Sequence, residues 1–187
     1  MNLIAGFNWL DFLIFFVLIV SMGVGYATGL LRQMIALAAL YIGSILGAQY
    51  YTVVTAWINR LALRTSSNHF EDAFAFFVIL IFVTSIINWL AFDAYRSTRI
   101  RLVPLVDQLG GVILSLITTA ITLSLVLPVI AFAASEPWPW SEPTRQFILA
   151  GFQTSYILPL FGQIKPMLLG ALRPWMPTAL PSLFFSG

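Results

Sequence analysis

The chain has 187 residues, 60% of them hydrophobic and 9% charged, with nine Lys and Arg against seven Asp and Glu. A soluble domain carries about 25% charged residues, and a chain this short has too much surface for its volume to hide so many apolar side chains from water. A water-soluble enzyme and a disordered chain are excluded, and with no cysteine there is no disulfide, thiolate nucleophile or cysteine-based metal site.

Charges punctuate the chain. Phe12–Leu31 is a run of 20 residues without a charge, Gln33–Asn59 one of 27, Ala73–Phe92 one of 20 and Gln108–Ser135 one of 28. A helix crossing a bilayer needs about 20 mostly apolar residues. The expected fold is an all-α integral membrane protein whose transmembrane domain covers residues 1–135, with spans at about 12–31, 34–58, 73–92 and 108–130. Residues 136–187 are expected to form an interfacial tail.

The first span follows Asp11, a carboxylate suited to the helix N-terminus. No Lys or Arg precedes Asp11, and no small-residue cleavage site follows a short apolar core. The segment does not read as a signal peptide, and the span is expected to be retained. Its Ser21, Gly25 and Gly29 recur every four residues on one face. The second span repeats the pattern with Ala39, Gly43 and Gly47, and the fourth, entered behind Asp107, with Gly111, Ser115 and Thr119. In lipid, helices associate through close backbone packing and interhelical hydrogen bonds, so such faces predict helix contacts. The third span, led by Glu71 and Asp72, has no glycine but carries Thr84, Ser85 and Asn88. Asn88 is expected to face a partner, because an unpaired amide in hydrocarbon costs several kcal/mol. Adhesion between helices explains these polar groups more simply than a substrate path. Asp93 lies three residues before Arg96, a spacing that suits an ion pair.

Eight of the ten prolines fall between Pro137 and Pro181. The segment Glu136–Pro143 holds Trp138 and Trp140, which suit a membrane–water interface. The 19 uncharged residues of Gln146–Ile164 include Gln146, Gln153 and an interrupting Pro159, and read as interfacial or re-entrant.

Arginines orient the spans. Arg32 in the loop after the first span and Arg96, Arg99 and Arg101 in the loop after the third fall on one side, and Arg60, Arg64 and Arg145 on the other. The cluster Arg96, Arg99 and Arg101 sets that side as cytoplasmic and both termini as periplasmic. It also offers itself to anionic headgroups, although topology alone accounts for it. No phosphate-binding loop, His-Glu-x-x-His or Gly-x-Ser-x-Gly motif is present, and the chain has one histidine, His69. No catalytic residue, metal ligand or cofactor is expected. Nine basic residues divided between two membrane faces give no nucleic-acid site.

Asn8-Trp-Leu-Asp11 ahead of an apolar span, then Gly25-Tyr-Ala-Thr-Gly29-Leu-Leu-Arg32, resembles the opening of the colicin V production protein family. Leu105-Val-Asp107-Gln-Leu-Gly-Gly111 is similar to that family's aspartate-then-glycine entry into its last span, with Ser115 where a further glycine often stands. The resemblance covers about residues 8–135, and the tail has no counterpart in it. It implies a four-span bacterial inner-membrane protein linked to colicin V export and envelope homeostasis, some of whose relatives carry a periplasmic serine protease after the spans.

The function expected is that of a non-enzymatic scaffold or export accessory in contact with membrane lipids and other membrane proteins. Two alternatives stand beside it. One is a structural subunit of a larger respiratory or photosynthetic complex. The other is a small transporter or channel, which would need a homo-oligomer to line a pore.

Overall fold

The structure is a computed structural model that describes residues 7–61, 69–97, 104–138 and 141–175, with the side chains of 92–97, 104 and 165 outside the description. Six helices follow one another: α1 (Trp9–Thr28), α2 (Leu30–Leu61), α3 (His69–Ser97), α4 (Pro104–Ala133), α5 (Glu142–Thr154) and α6 (Leu158–Leu172), with a 3₁₀ turn at Arg173–Trp175. There is no strand among the described residues. Four helical stretches are long and apolar enough to cross a membrane: Trp9–Thr28, Leu30–Leu61, His69–Ala91 and Leu105–Ala133. The protein is an all-α, multi-pass membrane protein.

Two apolar clusters hold the helices together. The larger joins α2, α3 and α4 around Leu40, Phe76, Leu80, Leu125, Val129 and Phe132, and takes in Leu172 from α6. The smaller joins α1, α4 and α6 through Leu10, Ile14, Leu127 and Phe161. No more than 33% of any span's most apolar window is buried within the chain. Phe12, Phe15, Phe16, Phe82 and Trp89 all face outward. A soluble protein could not carry such a surface, but in a bilayer the lipid tails are as apolar as the side chains they meet.

Two connections differ from the sequence reading. Arg32 is not in a loop after the first span. The connection between α1 and α2 is Gly29 alone, and Arg32 lies in the first turn of α2. In the tail, the break does not fall at Pro159. The chain bends by 76° between α5 and α6 at Ser155–Ile157, and Pro159 occupies the first turn of α6. Proline suits that position because the N–H it lacks has no intrahelical partner there.

The tail helices pack back on the bundle. The Tyr41 hydroxyl of α2 donates to the Ala171 carbonyl at 2.9 Å. Arg145 of α5 donates to the Ala134 carbonyl at the end of α4 at 3.0 Å. The segment from Leu158 to Trp175 thus reaches from the start of α1 to the flank of α2.

Candidate functional site

The most elaborate polar site in the described chain is built on Asp11. Asn8 caps α1, its side chain accepting from the backbone N–H of Leu10 at 2.6 Å and of Asp11 at 3.2 Å. Asp11 returns the bond by accepting from the Asn8 N–H at 3.0 Å, which completes a capping box. The other face of the carboxylate holds the α5–α6 elbow. Oδ1 accepts from the Ser155 hydroxyl at 2.6 Å, the Tyr156 N–H at 3.1 Å and the Ile157 N–H at 3.0 Å. Asp11 is fully buried, with 0% of its surface exposed. A carboxylate that receives a hydroxyl and three backbone N–H groups is compensated for the water it has lost.

Neighbouring residues reinforce the clamp. Asn8 donates to the Gly151 carbonyl at 2.6 Å and to the Thr154 hydroxyl at 2.8 Å. Trp9 stacks on Phe147 with ring centroids 4.8 Å apart. A Cβ on Gly151 would stand 2.6 Å from the Trp9 ring, so the α5 backbone approaches as closely as it does because that position is bare. Ser155 then accepts from the Leu158 N–H at 3.1 Å and so helps start α6.

Asp107 serves a second elbow at the opposite end of α1. Its Oδ1 accepts from the Leu30 N–H, the first of α2, at 2.9 Å. Gly29 has φ +80°, which L side chains rarely adopt, and a Cβ there would collide with the Asp107 carboxylate. Asp11 and Asp107 stand in the first turns of α1 and α4. Each does more than suit the dipole of its own helix, because each holds a bend made by other elements.

Between the two elbows α1 and α4 pack at backbone distance. A Cβ on Gly25 would come within 2.5 Å of the Gly111 carbonyl oxygen, and one on Gly111 would strike the Gly25 carbonyl. Ser115, buried, donates to the Ser21 carbonyl at 2.6 Å. Thr119 lies half-buried one turn further along α4. The small face of α2 meets larger groups on α3: Gly43 lies against Leu80 and Thr84, and Gly47 against Phe76. Ala39 is fully buried. Asn88 is exposed, and its amide donates to Thr84 O at 2.7 Å inside its own helix. That bond meets part of the need that a partner helix was expected to fill.

At the ends of α3 and α4, His69 lies between Ser135, 2.8 Å from its Nδ1, and Glu136, 3.5 Å from its Nε2. Glu136 also accepts from the His69 backbone N–H at 2.9 Å, which ties the exit of α4 to the start of α3. At the start of α5, Arg145 donates to Glu142 at 2.8 Å and holds that carboxyl down at about 2. Arg99 and Arg101 lie outside the described residues. Arg96 lies in the last turn of α3 and Asp93 just before that turn, with both side chains outside the described ones. Among the described residues no three His, Asp or Glu side chains come together in a way that could hold a metal ion.

The sequence reading set the break of the tail at Pro159 and missed the elbow that Ser155–Ile157 form on Asp11. Its local signal was faint: a serine three residues ahead of Leu158, with Pro159 next. Nothing local names Asp11 as its partner, 144 residues away.

A bundle of apolar spans braced at both ends by aspartates that hold helix bends defines a polytopic membrane protein whose polar groups fix its own architecture. Its family is narrower than that. The chain belongs to the colicin V production protein family, whose model matches residues 10–166. The match reaches past residue 135, through α5 and into α6, so much of the tail is part of the family's shared region and not an addition to it. No match was found among curated proteins or among solved structures.

Proposed function

We propose that this member of the colicin V production protein family is a non-enzymatic scaffold or export accessory of the bacterial inner membrane. It works by presenting its outer helix faces to other membrane proteins. The observation that carries this reading is the outward face of the spans. At least two-thirds of each most apolar window lies outside the bundle, while the polar groups described above bond within the chain, at helix ends and crossings. No mid-span charge offers an ion relay among the described side chains, and such charges are what mark transporters and voltage sensors. Both termini are assigned to the periplasm, and Arg96, Arg99 and Arg101 to the cytoplasm, on the bias of positive residues.

The test is photocrosslinking in intact cells from a reactive side chain placed at Phe16 or Trp89, both exposed. Discrete heteromeric products support the reading. If neither position gives a product while a purified homo-oligomer carries flux in liposomes, the scaffold reading fails and the transporter replaces it. The chain has no cysteine, so single cysteines at Ser135 and at residue 98 report topology directly. Labelling of Ser135→Cys from the periplasm supports the orientation, and labelling of the other from that side reverses it.

A further inference from the structure

A crevice of about 270 Å³ opens where α1 ends, α2 begins and α3 nears the end of its span. Its lining includes Val24 and Thr28 of α1, Arg32 and Gln33 of α2, and Asn88 and Ala91 of α3. Thr28 is the last residue of α1, Arg32 lies in the first turn of α2, and Ala91 stands two residues before Asp93, which closes the uncharged run of α3, so the crevice lies at the end of the apolar stretches, at headgroup depth. Among its described lining residues the one charge, Arg32, is positive. The amides of Gln33 and Asn88 keep donor capacity. An amide nitrogen has two N–H groups. Gln33 uses one on the Thr28 hydroxyl at 3.0 Å, and Asn88 uses one on Thr84 O. Arg32 has a partner in the protein, and its guanidinium carries five N–H donors. Val24, Ala91 and the other aliphatic lining residues supply an apolar wall beside these donors.

We propose that this crevice binds the phosphate headgroup of an anionic phospholipid. Arg32 meets the phosphate, the spare N–H groups of Gln33 and Asn88 meet phosphate or glycerol oxygens, and the acyl chains leave along the apolar wall. Basic pockets between spans are the kind of site that takes such headgroups. The site does not depend on the scaffold reading, and its test measures neither crosslinking nor flux.

The experiment is native mass spectrometry of the full chain in detergent, after exposure to dioleoylphosphatidylglycerol, to dioleoylphosphatidylcholine or to inorganic phosphate. One phosphatidylglycerol is expected to remain bound per chain under conditions that strip phosphatidylcholine. Arg32→Gln is expected to lower that retention about fivefold or more, and Asn88→Leu by a smaller factor. Arg60→Gln, in the last turn of α2 at the opposite end, should leave it unchanged. Equal retention of the two lipids overturns the proposal, as does an equal response to Arg32→Gln and Arg60→Gln. Displacement of the lipid by millimolar inorganic phosphate assigns the site to soluble phosphate and overturns the lipid assignment. If Arg32→Gln does not fold, Asn88→Leu decides the matter, since among the described residues the Asn88 side chain bonds within its own helix.

Discussion

The carboxylate of Asp11 and the hydroxyl of Ser155 meet at 2.6 Å across 144 residues of chain. The same carboxylate receives the backbone N–H groups of Tyr156 and Ile157. Removing it leaves several donors without an acceptor in a buried place, at roughly 1–3 kcal/mol for each that water does not reach. Asp11→Ala is therefore expected to destabilise docking of the elbow by about 3 kcal/mol or more, whereas Ser155→Ala should cost about 1 kcal/mol. Limited proteolysis checks this. Cleavage between Thr154 and Leu158 should rise steeply in the first variant and slightly in the second, and equal resistance in Asp11→Ala would contradict the clamp.

The crossing of α1 and α4 gives a steric prediction. Gly25→Ala and Gly111→Ala both drive a methyl group into the facing backbone. Overpacking of this kind costs about 1–3 kcal/mol when neighbours shift, and more when the obstacle is backbone. Both variants should melt earlier in detergent. Gly23→Ala on the same helix is the control. Nothing lies within 4 Å of its would-be Cβ, so its melting temperature should match or slightly exceed that of the parent chain.

At the second elbow two substitutions separate conformation from charge. Gly29→Ala meets both a positive φ and the Asp107 carboxylate, and is expected to cost more than the roughly 1 kcal/mol of the backbone conformation alone. Asp107→Asn keeps an oxygen for the Leu30 N–H and should be mild. Asp107→Leu removes the cap, at about 0.5–2 kcal/mol. Thermal melting that ranks Asp107→Asn below Asp107→Leu would show that the bond to Leu30 is not what the residue supplies.

The Glu142–Arg145 pair predicts a pH dependence. Bonding to Arg145 lowers the Glu142 carboxyl from 4.5 to about 2. A depressed carboxyl stabilises the folded form fully above its ordinary value and loses that contribution as pH falls from 4.5 to about 2. The pair is solvated, so the contribution is small. Trp138 emission, beside this turn, should be constant between pH 8 and 5 and change below about 4, with the change reduced in Glu142→Gln. A transition near pH 6 would point to another group.

The spans were legible because lipid imposes a one-dimensional test. A run of some 20 residues free of charge can be counted along the chain, and bilayer thickness does the rest. The four-residue spacing of Ser21, Gly25 and Gly29 was equally legible, since helical periodicity places those residues on one face. Which face they would meet was not. The small face of α1 found Gly111 and Ser115, while that of α2 found Phe76, Leu80 and Thr84, and either choice satisfies the same periodicity.

By itself the sequence determined that this is a helical membrane protein with four helices long and apolar enough to cross lipid, and that Asp11 and Asp107 stand at helix entrances. Only the tertiary structure decided what those carboxylates hold. Their donors are backbone N–H groups 77 residues away for Asp107 and up to 146 away for Asp11. Every non-proline residue offers the same donor, so no side-chain pattern marks in advance which ones a fold leaves free at its bends.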